Sequence, residues 1–320
     1  MKTDSKLAGA LRSSGFIVTA EVLPPPAAEG SAIKTLADTV GNSLAAVSVA
    51  DNHRGIGMSS LAASSVFLQL GYEPIYQIVT RDRNRIAIQS DLLGAAALGI
   101  RNILCTSGHH QSLTGCADSA NVYDLDAIQV VWAARQMRDQ GRLLDGTPIV
   151  GKFPVLIGTV VDPFLRPLEL NLIQLAKKIE AGADFVQTQP VFDVEEFVTW
   201  LEAVRQEGLA DKITMLAGVL PLSSADEAER LRESHTELRI CEDVVARFVG
   251  ADPRACPSVG QSQGVAPTAA GSPEAQEKEG VKLCAEIIGK LKGAQGIRGI
   301  HILSGGREKL VSKVRSAAGV

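Results

Sequence analysis

The 320-residue chain lacks the patterns that mark membrane proteins, exported proteins and nucleic-acid-binding proteins. No apolar stretch is as long as a membrane span, and the start, Met1 to Ser5, lacks the apolar core of a signal peptide. The net charge is −4, and no run of Lys or Arg is long enough to bind a phosphate backbone. The sequence therefore predicts a cytoplasmic protein with no membrane span and no nucleic-acid partner.

Cysteines are few and form no C-x-x-C pair, so neither a zinc knuckle nor a disulfide framework is signalled. We expect reduced thiols at Cys105, Cys116, Cys241, Cys256 and Cys284. The adjacent His109 and His110 point in different directions, and no carboxylate or thiolate stands nearby at ligand spacing, so no metal site is predicted. A Gly-x-Gly-x-x-Gly motif is also absent, which argues against a Rossmann dinucleotide site.

Apolar, β-rich runs alternate with helical patterns along the whole chain, which is typical of a parallel sheet built from βα units. With 45% hydrophobic residues, the chain is long enough to bury a substantial core. Eight strands with eight helical connections predict a single-domain (β/α)8 TIM barrel over residues 1–320. The strands are expected at Phe16–Leu23, Ala45–Ala50, Pro74–Thr80, Asn102–Thr106, Pro154–Val161, Phe185–Thr188, Ile213–Gly218 and Gly299–Leu303.

Two segments interrupt this alternation. The stretch from Gly108 to Asp124 follows the fourth strand without periodicity, so we interpret it as a long loop on the catalytic face. The stretch from Pro257 to Ser272 is rich in Gly, Ser, Ala and Pro and predicts a flexible insertion, at about 252–273, inside the last helical layer. Neither segment indicates a second domain.

The sixth strand ends in a cluster of polar side chains. In barrels and open α/β sheets, ligands bind at the carboxyl ends of the strands, so Gln187, Thr188 and Gln189 are predicted to project into the mouth of a pocket. The alternative is a solvated turn between strand and helix. Turns favour Gly, Asn, Asp and Ser for steric reasons, and a Gln-Thr-Gln run does not match that preference.

Glu21 lies within the first apolar run, where the alternation of side chains places its carboxyl group near the barrel interior. A buried carboxyl group tends to have a raised pKa and can hold a proton at neutral pH, as a general acid must. The alternative is a structural carboxylate that pairs with Arg81 or another cation of the barrel.

The sequence allows two roles for each of two groups of basic residues. The segment Arg81 to Arg85 precedes a helix, with Asp82 or Asn84 as its N-cap. It is either a capped, solvated helix start or a place where one Arg binds an anionic ligand group. Lys177 and Lys178 either form an exposed helix face or provide one cation for a phosphate of a long cofactor.

Together these residues resemble the methylenetetrahydrofolate reductase family, and the resemblance covers nearly the whole chain. The order and spacing of six short motifs carry it. The motifs are Thr19–Pro25, Thr80–Asn84, Gly99–Ile103, Lys178–Asp193, Gly218–Leu222 and Gly299–Ile302. The resemblance implies a flavin-bearing (β/α)8 barrel that reduces 5,10-methylenetetrahydrofolate to 5-methyltetrahydrofolate, with hydride from reduced flavin and Glu21 as the general acid.

The resemblance also implies which residues contact each ligand. FAD is favoured over FMN as the flavin. Cofactor contacts are expected at Asp51, Gln77, Arg81, Gly108, His109 and Lys178, with Lys178 near a phosphate. Substrate contacts are expected at Gln189, Phe192 and Leu220.

The chain departs from the family pattern at two places. His109 stands where the family usually has an Asp beside the flavin and folate. An imidazole there favours the anionic reduced flavin, so His109 is expected to raise the flavin potential or alter folate affinity, unless normal flavin binding has been lost. The aromatic residue that often follows the Gly-Val-Leu-Pro motif is replaced by Ser224 and Ala225, which weakens the prediction of direct NADH stacking.

The leading hypothesis is therefore a reductase that takes electrons from NADH or from an electron-donating partner subunit, in a homo- or hetero-oligomer. No cysteine cluster for an iron–sulfur centre is present, so a ferredoxin-type input requires another chain. One alternative is a folate-binding barrel without redox activity that serves a corrinoid methyltransferase. Another is a reductase of a different methylene pterin.

Overall fold

A computed structural model describes residues 3–53, 55–249 and 272–320 and shows a closed barrel of eight parallel strands. The strands follow one another around the barrel in chain order, and the first pairs with the last. This confirms the predicted (β/α)8 fold and all eight strand positions to within a few residues. The strands are β1 (Ile17–Val22), β2 (Ala46–Val49), β3 (Pro74–Val79), β4 (Asn102–Thr106), β5 (Leu156–Val161), β6 (Phe185–Pro190), β7 (Thr214–Val219) and β8 (Ile297–Ile302).

Helices cover the outside of the barrel. They are α1 (Lys6–Arg12), α2 (Gly30–Val40), α3 (Ser60–Gln69), α4 (Arg85–Ala97), α5 (Ala127–Gln140), α6 (Leu168–Ala181), α7 (Val194–Gln206), α8 (Ala225–Ser234), α9 (Glu242–Val249), α10 (Pro273–Leu291) and α11 (Lys309–Ala318). In the described parts of the chain, none of these helices is long and apolar enough to cross a membrane.

The alternation of side chains along each strand separates two cores. Outward-facing residues such as Val47, Ile78 and Val186 pack with the helices in one large cluster. Inward-facing residues at the start of each strand, such as Ile75 and Leu216, form a second cluster inside the barrel. The inward positions nearer the strand ends are polar, so the barrel interior changes from apolar at one end to polar at the other.

Helix α1 closes the apolar end of the barrel. Ser5 caps it by accepting a hydrogen bond from the N–H of Ala8 at 3.0 Å. Leu7, Ala8 and Leu11 are buried and belong to the inner cluster of the strands. The sequence reasoning did not predict this helix, because seven residues are too few to show a helical period clearly.

The two predicted interruptions have different outcomes. Residues 108–124 contain one short 3-10 turn, Gln111–Leu113, and otherwise form a loop at the carboxyl end of β4, as predicted. The predicted insertion at about 252–273 lies almost entirely outside the described residues. The described chain resumes at Ser272, which caps α10 by accepting from the N–H of Ala275.

A glycine inside the barrel makes room for an aromatic ring. Gly158 of β5 is in register with Phe185 of β6, and Phe185 lies in the inner cluster. A Cβ atom added to Gly158 would lie 2.2 Å from Cζ of Phe185, a separation that the ring cannot tolerate without moving. The Gly–Phe pair thus determines how the inner apolar cluster packs below the polar end of the barrel.

We expect Gly158→Ala to lower the free energy of unfolding by about 1 to 3 kcal/mol, because interior overpacking displaces Phe185. Gly9→Ala is the matched control: it lies on the exposed face of α1 with no atom within 4 Å of the added Cβ. That control should gain about 0.5 to 1 kcal/mol from helix propensity. Urea unfolding followed by circular dichroism measures both, and equal effects of the two substitutions would contradict this packing argument.

Candidate active site

The carboxyl ends of the strands surround a cleft of about 240 Å³, which we call the central cleft. Its walls come from most of the strands and the loops that follow them. Among its lining residues are Glu21, Asp51, Gln77, Arg81, Gly108, His109, Lys178, Gln187, Gln189 and His301. A second cleft of about 380 Å³, the side cleft, shares Glu21, His53, His109 and Gln189 with it and extends toward Leu220 and α8. Glu21 and seven of the nine predicted ligand contacts therefore meet in the central cleft.

Glu21 lies inside the barrel, as the alternation predicted. It is 6% exposed, and its carboxyl group accepts a hydrogen bond from Gln77 Nε2 at 3.2 Å. The same amide nitrogen donates to Ser48 Oγ at 3.0 Å. Three neighbouring strands thus hold one carboxyl group in a fixed position. The guanidinium of Arg81 makes its hydrogen bonds elsewhere, so the proposed Glu21–Arg81 pair does not form.

His301 lies at the floor of the central cleft, where β8 meets β1. Its Nδ1 lies 3.0 Å from Thr19 Oγ1 and 3.3 Å from Gln187 Nε2. Burial lowers the pKa of His301 to about 3, so the ring is neutral at physiological pH. The sequence analysis included His301 only within a motif. The signal available was an isolated polar residue at an inward position of the last strand.

Lys178 brings a positive charge into the central cleft from α6. Its Nζ donates to the carbonyl oxygen of Val160 at 2.7 Å, and burial lowers its pKa. The charges of Asp126 and Asp162 oppose this effect of burial without cancelling it, and an ammonium group has three donors. The neighbouring Lys177 is exposed. Of the two predicted options for this pair, the structure assigns the exposed face to Lys177 and the cleft to Lys178.

Asp51 and the arginines after β3 hold the loops together. Arg83 binds both carboxylate oxygens of Asp51, at 2.6 and 3.2 Å, and the N–H of Val79 donates to the same carboxylate at 3.2 Å. Arg81 is 2% exposed, pairs with Asp82 and donates to the backbone carbonyls of His109 and Asn52.

The segment Arg81 to Arg85 is therefore a helix start with paired charges. Arg85 pairs with Asp124, and Asn84 is the N-cap, accepting from the N–H groups of Ile86 and Ala87 at 3.1 Å. Each of the three arginines has a carboxylate partner in the structure. These ion pairs connect the loops after β2, β3 and β4. Arg81 also lines the central cleft.

A break in the ladder between β6 and β7 sets the position of Gln189. The register shifts between Gln187 and Pro190, and Thr188 Oγ1 accepts the N–H of Gly218 at 2.8 Å in place of a backbone partner. A Cβ atom on Gly218 would lie 2.4 Å from the carbonyl oxygen of Thr188, so the close approach requires glycine. Gln187, Thr188 and Gln189 all line the central cleft, as predicted, and the Thr188 hydroxyl also supports the bulge.

Three histidine rings meet where the two clefts join. The centroids of His53 and His109 are 5.4 Å apart, and those of His109 and His235 are 6.0 Å apart. Gly108, just before His109, has a φ of 75°, which favours glycine at this turn. In the described ranges, no group of three or more His, Cys, Asp or Glu residues has a metal-binding arrangement.

The remaining predicted residues occupy different environments. Leu220 lines the side cleft, whereas Phe192 is packed in the outer hydrophobic core and is among the lining residues of neither cleft. Cys105 and Cys284 are buried thiols, and burial raises the pKa of each to about 12. Cys116 and Cys241 are also free thiols, and Cys256 lies outside the described residues.

Sequence comparison relates the chain to folate enzymes. It is 26% identical to methylenetetrahydrofolate reductase 1 of Schizosaccharomyces pombe over 48% of its length and 22% of that relative. It is 22% identical to 5,10-methylenetetrahydrofolate reductase of Pectobacterium carotovorum over 53% of its length and 51% of the relative. The corresponding figures for the Escherichia coli enzyme are 22%, 50% and 47%. The matches thus span about half or less of each of these relatives.

Structural comparison supports the fold. A protein from Clostridium thermocellum, described as binding two copies of 5-methyl-5,6,7,8-tetrahydrofolic acid, aligns with a TM-score of 0.59. That alignment covers 98% of this chain and 97% of the other at 13% sequence identity, which establishes a common barrel fold. The sequence profile of the methylenetetrahydrofolate reductase family matches residues 6–319. The chain belongs to the methylenetetrahydrofolate reductase family.

Proposed function

We propose that this protein reduces 5,10-methylenetetrahydrofolate to 5-methyltetrahydrofolate, with hydride from a bound reduced flavin and a proton from Glu21. The observation that supports it best is the position of Glu21, held by Gln77 inside the barrel and lining both clefts. The overall change adds one hydride and one proton to the substrate. A carboxyl group at the junction of two clefts suits the delivery of that proton to a ligand.

The residues of the central cleft fit a flavin. Its lining combines polar groups with apolar side chains such as Val79, Leu104 and Val160, as cofactor pockets do. Lys178 offers a half-buried ammonium with one carbonyl partner, which suits a phosphate, and Gln77, Gln187 and Gln189 offer amide groups for a polar ring. A bound reduced flavin would supply the hydride. FAD is the proposed form, as the family resemblance implies, and its diphosphate would give Lys178 an anionic partner.

The roles proposed for the chain's own residues follow from their positions. Glu21 holds the proton that the departing ring nitrogen needs when the five-membered ring of the substrate opens. Gln77 orients that carboxyl group. Gln189, placed by the β6–β7 bulge on both clefts, contacts the substrate, and Leu220 borders the side cleft, where the remainder of the substrate would extend.

A titration of the purified protein tests the activity as a whole. A flavin band near 450 nm that bleaches with NADH under anaerobic conditions and recovers with methylenetetrahydrofolate is the expected result. A second outcome is a bound flavin that NADH does not reduce but that, once reduced chemically, is reoxidised by methylenetetrahydrofolate. That result would assign the electron supply to a partner subunit. A protein that binds 5-methyltetrahydrofolate but never flavin would overturn the reductase proposal and favour the non-redox folate-binding barrel.

We expect Glu21→Gln to lower the rate of folate reduction by about 10²- to 10⁴-fold, the usual contribution of a general acid. The substitution keeps the shape of the side chain and removes the proton, so flavin binding should stay at the wild-type level. Single-turnover oxidation of the reduced flavin by methylenetetrahydrofolate measures the step. The exposed Glu207→Gln serves as control. Near-normal turnover of the Glu21 variant would remove this residue from the mechanism.

Lys178→Met should weaken FAD binding by about 10- to 100-fold, the loss of one charge-assisted hydrogen bond worth about 1.5 to 3 kcal/mol. Lys177→Met is the matched control because it removes the same charge from the exposed face of the same helix. Quenching of flavin fluorescence gives both dissociation constants, measured at two salt concentrations. Equal affinities for the two variants would show that Lys178 does not contact the phosphate.

A further inference from the structure

The imidazole of His301 is an inward-facing group that the proposed mechanism does not use. It lies on β8 in register with Thr19 of β1 and with Gly218 of β7. The residue is 2% exposed and lines the central cleft at its floor. The strands on both sides therefore fix the ring relative to the cleft.

The hydrogen bonds of the ring determine where its proton lies. With the amide of Gln187 oriented as in the structure, its nitrogen lies 3.3 Å from Nδ1 of His301 and can only donate. Nδ1 then accepts from Gln187, and the single hydroxyl proton of Thr19 is shared between Nδ1 at 3.0 Å and the carbonyl oxygen of Ile300 at 3.4 Å. Because the buried ring is neutral, with its pKa lowered to about 3, its single proton lies on Nε2.

The Nε2–H group has no hydrogen-bond partner among the described residues of the protein. Nε2 is not among the enclosed polar atoms that lack a partner, so this edge of the ring is open to the cleft. Since the residue lines the central cleft, a ligand in that cleft can supply the missing acceptor. Thr19 and Gln187 both contact Nδ1 and hold the orientation of the ring, so Nε2 cannot turn toward them.

We propose that His301 is a ligand-binding residue whose Nε2–H donates a hydrogen bond to a carbonyl oxygen of the heterocycle bound at the cleft floor. This inference rests on the proposed function, which supplies two heterocycles with ring carbonyls, the flavin and the pterin. A neutral donor suits a neutral carbonyl oxygen and would add no charge near Glu21. Its hydrogen bond is also insensitive to pH over the physiological range.

Two substitutions separate this contact from the support that His301 gives to the strands. The amide of His301→Asn reaches the position of Nδ1 and can keep the bonds to Thr19 and Gln187, but it does not reach the position of Nε2. The longer side chain of His301→Gln can place an N–H donor near the position of Nε2. Dissociation constants for FAD and for 5-methyltetrahydrofolate, measured on the full-length chain, compare the two variants.

We expect His301→Asn to weaken binding of one of these ligands by about 3- to 10-fold, the value of one neutral hydrogen bond, and His301→Gln to restore most of that loss. Weaker FAD binding would identify the flavin as the acceptor. Weaker binding of 5-methyltetrahydrofolate with unchanged FAD binding would identify the pterin. Two variants that bind both ligands as the wild type does, or that lose affinity equally, would overturn the proposal.

The pH dependence of stability provides an independent check on the neutral ring. The unfolded chain binds a proton at His301 near pH 6.5, whereas the folded ring resists protonation down to about 3. As the pH falls below 6.5, the wild type should therefore lose stability relative to His301→Gln. A difference that stays constant from pH 7.5 to 5 would overturn the assignment of a buried neutral donor. A wild-type protein that binds neither ligand would instead overturn the proposed function, and this inference with it.

Discussion

The buried polar side chains in the upper half of the barrel are the constraint on which the rest of the structure depends. Burying an amide, a hydroxyl or an imidazole is unfavourable unless each finds a hydrogen-bond partner. Here the partners come from different strands: Gln77 of β3 joins Ser48 and Glu21, and His301 of β8 joins Thr19 and Gln187. A shift of one residue in any of these strands would turn its polar side chains toward the helices. The same strand register is therefore required both for pairing these buried polar groups and for the geometry of the site.

The barrel interior near the starts of the strands is closely packed with apolar side chains, in contrast to the polar end that lines the cleft. Its inward residues are apolar, the ring of Phe185 fills the space above Gly158, and α1 covers the open end with Leu7 and Leu11. The polar side chains that line the central cleft thus lie above a closely packed apolar cluster. The bulge between β6 and β7 lies at the polar end of the barrel and positions Gln189, and the Thr188 hydroxyl accepts the N–H of Gly218 there.

The sequence predicted features that depend on local patterns. The eight strands were recognisable from apolar runs, the inward position of Glu21 followed from alternation, and Asn84 was one of two expected helix caps. These signals arise within a few residues of chain. Their success reflects the strong dependence of strand burial on a two-residue period.

Features that depend on distant contacts could not be predicted in the same way. Asp51, which lines the central cleft as predicted, also pairs with Arg83, and only the fold brings the two together. Phe192 packs into the core because the turn after β6 directs it there. The importance of His301 depends on Thr19, 282 residues earlier in the chain. No local pattern carries that information.

The pairing of β1 with β8 also determines when the site can exist during synthesis. The two strands that close the barrel come from opposite ends of the chain, so a nascent chain on the ribosome has an open sheet until β8 emerges. Before that moment Thr19 and Gln187 lack their imidazole partner, and two unpaired strand edges are exposed to other chains. The part of the central cleft that contains His301 is thus completed only when β8 joins the sheet, and a translation product that stops before β8 lacks it.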